Sequence, residues 1–438
     1  MKKDTTTRRG FLKTTAALVA AGVAMPTLIP WSALAQGRRV GANDRIIVGF
    51  VGSGGRASQL MPQIPPERAK IVAISDAWYR KTVEAVHVVK AVQEPHMQID
   101  NIDEWKLYGN YEEMYDKEKL DCVFNATPDH VRSLATIRAM MAGLDVFAEK
   151  ALTTYIAEGR EMVKCTRKLN RVFQVGSHQR TMRLNEYGCR LVREGSLGAI
   201  RLVQACNYPG GNWIPEGLKP YGDIPSDLDW DAWQGPTGYR GYNGAYLDWR
   251  WWREYANGDL TLWGAHGFDQ IQWALGADDT GPVELWPLEG QEGVDPRRMK
   301  IGMKYANGVE VRCELEGSSS GGIFRCASGN LEIARNSLRA NPESLIAGAP
   351  ERERILDQDG HTRLHIENFF DCMFSREKPN ADVEIGHRTA TVCHLVSHTR
   401  DLNRRLKWDP VKEQFIDDDE ANKLVDRPRR KGYEFPAY

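Results

Sequence analysis

The chain has 438 residues, 42 % of them hydrophobic, which is enough for two domains with sizeable cores. Its formal charge is −1, and the first 35 residues hold five basic residues and one acidic residue, so the charge without them becomes −5. Such a mild negative charge argues against nucleic acid and anionic membrane as partners. The eight cysteines show no C-x-x-C pair and no metal-ligand spacing, so we expect buried free thiols and no metal site.

The N-terminus has the features of an export signal. Arg8 and Arg9 form a twin arginine, an apolar run follows from Ala16 to Met25, and Ala33-Leu34-Ala35 is a small-x-small cleavage site. The run is shorter than the roughly 20 residues of a membrane span, although an uncleaved anchor is the alternative. We predict a twin-arginine signal peptide over residues 1–35, recognition by the twin-arginine export machinery, and a periplasmic mature protein.

A glycine-rich turn then follows the first apolar strand. Gly52, Gly54 and Ala57 fit the pattern G-x-G-x-x-A, in which the glycines permit a tight turn and close approach of a pyrophosphate, and the small third residue lets helix and strand pack. The next strand, Ile71 to Ile74, ends near Asp76. That carboxylate can accept both ribose hydroxyls of NAD and would repel the 2′-phosphate of NADP. We predict an NAD site; a purely structural glycine turn is the alternative.

Strands and helices alternate from residue 44 to residue 176, which predicts a doubly wound parallel sheet of the Rossmann type. Ligands of such sheets bind beyond the carboxyl ends of the strands. The residues that we expect to bind the cofactor are Gly52, Ser53, Gly54, Gly55, Arg56, Asp76, Asn125, Thr127, Pro128, His130 and Glu149.

The periodicity changes in the rest of the chain, residues 177–438. A strand is predicted over Ile200–Cys206, and residues 300–315 and 324–334 each alternate around tight-turn residues. We predict a second α/β domain with an open, mainly antiparallel sheet, whose exposed face favours a homo-oligomer. Residues 406–419 are predicted to be a surface tail.

Tryptophans are concentrated between residues 213 and 273, where eight of the thirteen occur. Indole faces stack well on pyranose rings, but we interpret most of these residues as packing for long loops. The candidates for substrate contact are Trp213, Trp251, His178 and Arg180.

A helix that continues to Gly276 carries an apolar stripe of Phe268, Ile271 and Leu275. His266 lies two residues before Phe268, about 200° round the helix, so it points away from that stripe. A histidine with a pKa near the working pH is a candidate base; a structural histidine is the alternative.

Two motifs carry a family resemblance: N-A-T-P-D-H from Asn125 and E-K-x-L-T-T from Glu149. They resemble the Gfo/Idh/MocA oxidoreductases, and W-R-W-W at residues 249–252 resembles their exported bacterial branch. The resemblance implies a Rossmann domain followed by an α/β domain, with the nicotinamide at the interface and hydride chemistry on sugars or polyols. It also implies that Lys150 supports a developing alkoxide and that His266 accepts the hydroxyl proton.

The sequence departs from the family pattern at two places. Ala151 replaces the proline that usually follows the lysine, so the turn presenting Lys150 is expected to differ. Leu262 replaces the aspartate of D-x-x-x-H, so either Asp259 or Asp269 substitutes for it or the chemistry is altered.

A further family helix begins at the G-H-R segment of residues 386–388. His387 and Arg388 either touch NAD or pin the domains together, and we favour pinning.

The sequence therefore predicts an NAD-dependent oxidoreductase acting on a carbohydrate hydroxyl. Because the periplasm offers no pool of free NAD, the cofactor is expected to stay tightly bound. One alternative is an NAD-dependent glycosidase that oxidises C3 of its substrate transiently. Another is a catalytically impaired sugar-binding relative, which Leu262 and Ala151 favour.

Overall fold

The computed structural model describes residues 45–91, 99, 101–216, 218–317, 319–351 and 360–438. The signal peptide predicted over residues 1–35 lies outside these ranges. Across the described ranges, no helix combines the length and the apolar character that a membrane crossing requires.

The N-terminal sheet has six parallel strands in the order β3-β2-β1-β4-β5-β6. The strand order reverses between β1 and β4, which is the topological switch point of a doubly wound sheet. The predicted Rossmann-type sheet is thus confirmed. Its strands are β1 (Ile46–Val51), β2 (Ala69–Ser75), β3 (Lys106–Tyr108), β4 (Cys122–Asn125), β5 (Asp145–Ala148) and β6 (Phe173–Val175).

Helices cover both faces of this sheet. Phe124 on the central strand β4 stacks on Phe50 of β1 and on Phe147 of β5, with ring centroids 5.0 and 4.7 Å away. This aromatic row keeps the central strands in register from within the core. The helices of this half are α1 (Gly55–Leu60), α2 (Tyr79–Ala91), α3 (Tyr111–Lys117), α4 (Asp129–Met141) and α5 (Ile156–Lys168).

The second sheet has nine strands in the order β13-β12-β11-β7-β10-β9-β8-β14-β15. Only β7 and β10 pair in parallel among them, so the predicted mainly antiparallel sheet is also confirmed. The strands are β7 (Ile200–Cys206), β8 (Pro282–Pro287), β9 (Ile301–Tyr305), β10 (Glu310–Leu315), β11 (Gly322–Cys326), β12 (Gly329–Ala334), β13 (Ser337–Asn341), β14 (Leu406–Asp409) and β15 (Gln414–Phe415).

Three helices pack on the inner face of this second sheet and share one apolar core with it: α6, α9 and α11. The domain boundary predicted at residue 176 remains a prediction. The remaining helices are α6 (Arg183–Arg193), α7 (Trp230–Gln234), α8 (Gly258–Leu262), α9 (Gly264–Leu275), α10 (Gly360–Ser375), α11 (Val383–Leu402) and α12 (Asp419–Asn422).

The surface tail predicted over residues 406–419 is wrong. Strand β14 pairs with β8 and β15, and Leu406, Trp408 and Phe415 are each 1 % exposed within the core of the second sheet. A four-residue strand with alternating burial is too short to be recognised without its partner.

His387 lies where helix α11 packs against α5 of the first half, which fits the predicted pinning role, whereas the hydrogen bonds of Arg388 stay within the second half. His387 Nε2 lies 2.5 Å from the Glu413 carboxylate, and Arg388 donates to the carbonyl of Pro410 at 2.6 Å. A Cβ on Gly159 of α5 would lie 2.3 Å from His387 Nδ1, so the absence of a side chain there permits the close approach of α5 and α11. All eight cysteines are buried and free, which confirms that prediction.

Candidate functional site

The glycine turn lies at the switch point, where the end of β1 meets the loop after β4. Gly52 has φ +80°, and a Cβ there would lie 2.7–2.8 Å from the backbone of Ala126 and Thr127. Glycine is therefore required. A Cβ on Gly54 or Gly55 would meet no atom of the described residues within 4 Å, whereas Ala57 is fully buried. The protein itself does not require glycine at 54 or 55, which fits close approach of a dinucleotide at the start of α1.

Asp76 follows β2 and lies beside this turn, where the sequence predicted it. Its Oδ2 accepts hydrogen bonds from the backbone N–H and the hydroxyl of Ser53, at 2.8 and 3.1 Å, and its Oδ1 accepts from the N–H of Trp78 at 2.9 Å. Burial raises the pKa of Asp76, and these hydrogen bonds oppose the rise. The carboxylate thus holds the glycine turn in place, and it is also a candidate to bind the ribose of the cofactor.

Asn125 has a different role from the predicted one. Its Oδ1 accepts from the N–H and the hydroxyl of Thr127, at 3.1 and 2.7 Å, and its Nδ2 donates to the carbonyl of Arg132 and to Thr136 Oγ1, at 3.2 and 3.0 Å. The side chain is 1 % exposed, and its amide groups are occupied by hydrogen bonds that stabilise the loop after β4. Thr127 and Pro128 in that loop remain cofactor candidates, because the loop backbone packs against Gly52.

His130 is also placed differently from the prediction. The imidazole is fully buried, its Nε2 lies 2.8 Å from the carbonyl oxygen of Trp233, and its ring packs against Trp233 and Tyr255. Burial lowers the pKa of His130 to about 3. The residue joins α4 to the tryptophan-rich segment rather than facing the cofactor.

Glu149 and Arg56 connect the end of β5 to α1. Arg56 Nε donates to Glu149 Oε1 at 2.8 Å, and the carboxylate also accepts from the N–H of Lys150 at 3.2 Å. Burial would raise the pKa of Glu149, but the charges of Arg56 and Lys150 outweigh burial and hold the pKa below its usual value. Glu149 is therefore an ionised anchor of the turn that carries Lys150.

Lys150 reaches across to the second half of the chain. Its Nζ donates to the carbonyl of Leu262, the last residue of α8, at 3.2 Å. Burial lowers the pKa of Lys150, while the carboxylates of Glu149 and Asp129 oppose that change. The peptide bond between Lys150 and Ala151 is cis. A half-buried ammonium is thus held at the meeting point of the two halves.

His266 lies in the first turn of α9, four residues after Leu262. It is 4 % exposed, and its ring meets that of His178 edge to face at 5.3 Å. Among the residues that the structure describes, the buried Nδ1 atoms of both histidines have no hydrogen-bond partner. Burial holds the pKa of His266 well below its usual value, and the charges of Lys150 and Arg335 add to this. Both rings are therefore neutral near pH 7, because the pKa of His178 is lowered in the same way.

Neither acid proposed to replace the missing aspartate contacts His266. Asp269 is 1 % exposed and accepts hydrogen bonds from Arg180 and Thr389. Asp259 is half-buried, and no hydrogen bond or ion pair joins it to His266 within the described residues. Leu262 instead contributes its backbone carbonyl, which accepts a hydrogen bond from Lys150 Nζ.

Arg180, predicted to contact substrate, is a structural residue. Its side chain is 2 % exposed, and it forms ion pairs with Asp269 at 2.8 Å and with Asp278 at 2.7 Å. Because Arg180 follows His178 by two residues and Asp269 follows His266 by three, this pair fastens the two histidine-bearing segments together.

The tryptophan-rich segment is mostly packing, as interpreted from the sequence. Trp230 and Trp233 stack on each other with centroids 4.8 Å apart inside a separate buried cluster. Trp213 and Trp251 are exposed, at 58 % and 40 %. The N–H of Asn212 donates to the carbonyl of Trp251, so the two exposed tryptophans stand on adjacent segments.

Sequence reasoning missed two neighbours of His266. The Trp263 ring centroid lies 6.3 Å from that of His266, and Arg335, from the turn after β12, lies over the same indole at 5.4 Å. Trp263 stood out only as one of many tryptophans. Arg335 is brought to the site by tertiary folding alone, and no local pattern marks it.

Two family models together match most of the chain. Residues 46–177 match the model described as "Oxidoreductase family, NAD-binding Rossmann fold". Residues 189–435 match the model described as "Oxidoreductase family, C-terminal alpha/beta domain". Both belong to the Gfo/Idh/MocA set, and the N-terminal match assigns NAD as the cofactor of that sheet.

Curated relatives match only over short stretches. A D-xylose 1-dehydrogenase (NADP(+)) of Hypocrea jecorina is 34 % identical over 84 residues, 19 % of this chain and 21 % of that protein. The chain thus matches about a quarter or less of the length of the curated relatives, 26 % and 21 % for two of them.

Solved structures match over most of the chain. An aldose-aldose oxidoreductase from Caulobacter crescentus, complexed with glycerol, has a TM-score of 0.58 at 19 % identity and covers 83 % of this chain and 99 % of its own. The WlbA dehydrogenase from Bordetella pertussis, in complex with NADH and UDP-GlcNAcA, has a TM-score of 0.58 at 16 % identity with the same coverage. At these identities the likeness is one of fold.

Proposed function

Because the chain belongs to the Gfo/Idh/MocA oxidoreductase family, we propose that it is an NAD-dependent enzyme acting on a hydroxyl-bearing carbon of a sugar or polyol. The observation that carries the proposal is the convergence of Lys150 and His266 from opposite halves of the chain. Lys150 Nζ bonds to Leu262, four residues before His266, and its charge helps to depress the pKa of that histidine. Two proteins of similar fold support the substrate class: one is named an aldose-aldose oxidoreductase, and the other binds UDP-GlcNAcA.

The residues at the switch point fit NAD. Gly52 makes the turn, the open space at Gly54 and Gly55 suits a diphosphate, and Asp76, which hydrogen-bonds to this turn, is proposed to bind the ribose. NAD, when bound, supplies the hydride acceptor or donor. The chain itself must orient the substrate and handle the proton.

Lys150 is proposed to hold the oxygen of the reacting hydroxyl. An ammonium within hydrogen-bond distance of that oxygen lowers its pKa and stabilises the negative charge that develops as the carbon is oxidised. The effect is stronger here than in bulk water because the lysine is half-buried, and burial lowers the local dielectric constant. The Leu262 carbonyl keeps Lys150 pointed across the interface.

His266 is proposed to accept the hydroxyl proton. Its ring is neutral because burial and neighbouring cations keep its pKa low, and its Nδ1 has no hydrogen-bond partner in the described part of the chain. A base with a low pKa is weak, but the same cations also lower the pKa of a bound hydroxyl and so favour the transfer of its proton. His178, in edge-to-face contact with His266, is proposed to contact the substrate.

We further propose that the protein is exported by the twin-arginine pathway and carries its NAD into the periplasm. Arg8, Arg9 and the following apolar run support this proposal. Replacing both arginines by lysine should leave the protein in the cytoplasm, as measured by cell fractionation. A periplasmic double variant would contradict this route.

The experiment that tests the function incubates purified holoenzyme with a panel of sugars, polyols and aryl glycosides. Reduction of bound nicotinamide, seen by absorbance, without glycoside cleavage supports the oxidoreductase. Cleavage that requires bound NAD but shows no net reduction identifies the glycosidase instead. Retained NAD with neither reaction overturns the enzyme proposal and leaves a sugar-binding protein.

A further inference from the structure

A buried ion pair lies directly beneath the turn that presents Lys150. Arg132, in the first turn of α4, has a side chain 2 % exposed, and Asp129, in the same turn, has one 1 % exposed. Arg132 Nη1 lies 2.9 Å from Asp129 Oδ1. A buried guanidinium is costly unless it is paired and hydrogen-bonded, so its partners indicate what it holds in place.

Those partners are the two loops that build the site. Arg132 Nη1 donates to the carbonyl of Ala151, and Nη2 donates to the carbonyl of Thr127. Ala151 directly follows Lys150, and Thr127 packs against Gly52. One guanidinium thus ties the loop after β4 to the turn after β5.

The charges around Lys150 give Asp129 a second effect. The titratable and charged groups that face Lys150 are Glu149, Asp129, Arg56, Arg132, His178 and His266. Both histidines are neutral. The charged groups are therefore two carboxylates, Glu149 and Asp129, and three cations, Lys150 itself, Arg56 and Arg132. Glu149 is engaged by Arg56, and removing the charge of Asp129 would leave one carboxylate against three cations.

We propose that Asp129 and Arg132 are positioning residues for Lys150: Arg132 fixes the Ala151 carbonyl and with it the lysine-bearing turn, and the Asp129 carboxylate balances the buried ammonium. The inference rests on the proposed function, in which Lys150 is the group that touches substrate. It also explains how the chain works with Ala151 in place of proline, because a hydrogen bond from α4 holds the turn that a proline ring would restrict.

An ordinary structural role explains these contacts less well. An acid in the first helical turn complements the helix dipole from the surface, but Asp129 is fully buried, and within the described ranges neither of its oxygens makes a well-directed hydrogen bond. Burial raises its pKa, while Arg132 and Lys150 oppose the rise. The charged form of the carboxylate is therefore favoured by two cationic neighbours, one of which is the lysine.

The test measures Lys150 directly in the NAD-loaded protein. Lysines are acylated with a trace of acetic anhydride over a range of pH, and the Lys150 peptide is quantified by mass spectrometry. Asp129→Asn keeps the shape of the side chain and removes its charge. It should lower the pKa of Lys150 by about 1. Arg138→Met, on the same helix but half-buried and paired with Glu112, is the matched control and should leave Lys150 labelling unchanged.

Kinetics on the best substrate of the panel give the second readout. The alkaline limb of kcat should move to lower pH in Asp129→Asn with little change in KM, because the reaction needs the protonated lysine. Arg132→Met should lower kcat at least tenfold, and Arg132→Lys should restore part of it. An unchanged labelling curve for Lys150 in Asp129→Asn overturns the inference. If wild type turns over no carbohydrate, the proposed function fails, while the labelling curve still decides the positioning role.

Discussion

Replacing Arg180 by methionine tests the assignment of that residue as structural. The change keeps an unbranched apolar side chain but removes the guanidinium, which lies over the Trp273 ring at 5.2 Å. It removes the ion pairs with Asp269 and Asp278. Asp269, 1 % exposed, is then left as a buried carboxylate with Thr389 as its remaining side-chain donor.

Breaking a buried ion pair in this way costs about 3–5 kcal/mol. For a domain of 150–250 residues, each kcal/mol lowers the Tm by roughly 2–4 °C, so the loss should be about 6–20 °C. Burial already raises the pKa of Asp269, and Arg180 opposes the rise. Without Arg180 the folded pKa lies further above the unfolded value. The loss of stability is therefore complete at pH values above the pKa of Asp269 in the folded variant. It disappears as the pH falls towards the pKa of about 3.9 in the unfolded chain.

Differential scanning calorimetry of wild type and variant at about pH 8 and about pH 5 measures both effects, and the Tm difference should shrink at the lower pH. Arg193→Met is the matched control, since Arg193 lies over the same Trp273 ring at 6.0 Å but is exposed. Its cost should stay below about 1 kcal/mol. Equal Tm losses for the two variants would refute the structural role of Arg180. So would a difference that grows on acidification.

Two further predictions concern the glycine turn and the thiols. Gly52→Ala should destabilise the protein by about 1–3 kcal/mol because it places a Cβ against backbone at positive φ. Gly54→Ala should keep the wild-type Tm but weaken NAD binding at least tenfold by calorimetric titration, about 1.4 kcal/mol; equal NAD affinity for this variant and wild type would contradict the cofactor assignment. Thiol reagents should not label the eight buried cysteines of the native protein. They should label all eight in the unfolded protein. Rapid labelling of the native protein would show that this packing is wrong.

The glycine turn, the alternating strands and the two sheets could be predicted because each leaves a local pattern. Gly52 is fixed by backbone sterics within a few residues, and strand periodicity is visible over five to seven positions. Asp76 and Lys150 were found because they end strands of a parallel sheet, and such ends meet at one edge.

Polar residues at those same strand ends were harder to interpret. Arg180 was expected to face substrate, but its acidic partners lie 89 and 98 positions further along the chain. His130 was expected to face NAD, but the carbonyl that it bonds lies 103 positions away. A side chain at a strand end faces either a ligand or a distant segment, and the sequence alone does not distinguish the two.

The position of Leu262 shows a related limit. The sequence reveals that an aspartate side chain is missing from the family motif, but not that the backbone carbonyl of Leu262 accepts a hydrogen bond from Lys150. Backbone groups are present at every position, so their use depends on the fold.

The central claim is that Lys150 supports oxidation of a bound hydroxyl at the meeting point of the two halves. A stopped-flow measurement of nicotinamide reduction in a single turnover tests it most directly, using NAD-loaded protein and the best substrate of the panel. Lys150→Met should slow this step by at least about 10²-fold while NAD stays bound, and Lys164→Met, an exposed lysine paired with Glu161, should keep the wild-type rate. Reduction at the wild-type rate by Lys150→Met would contradict the claim.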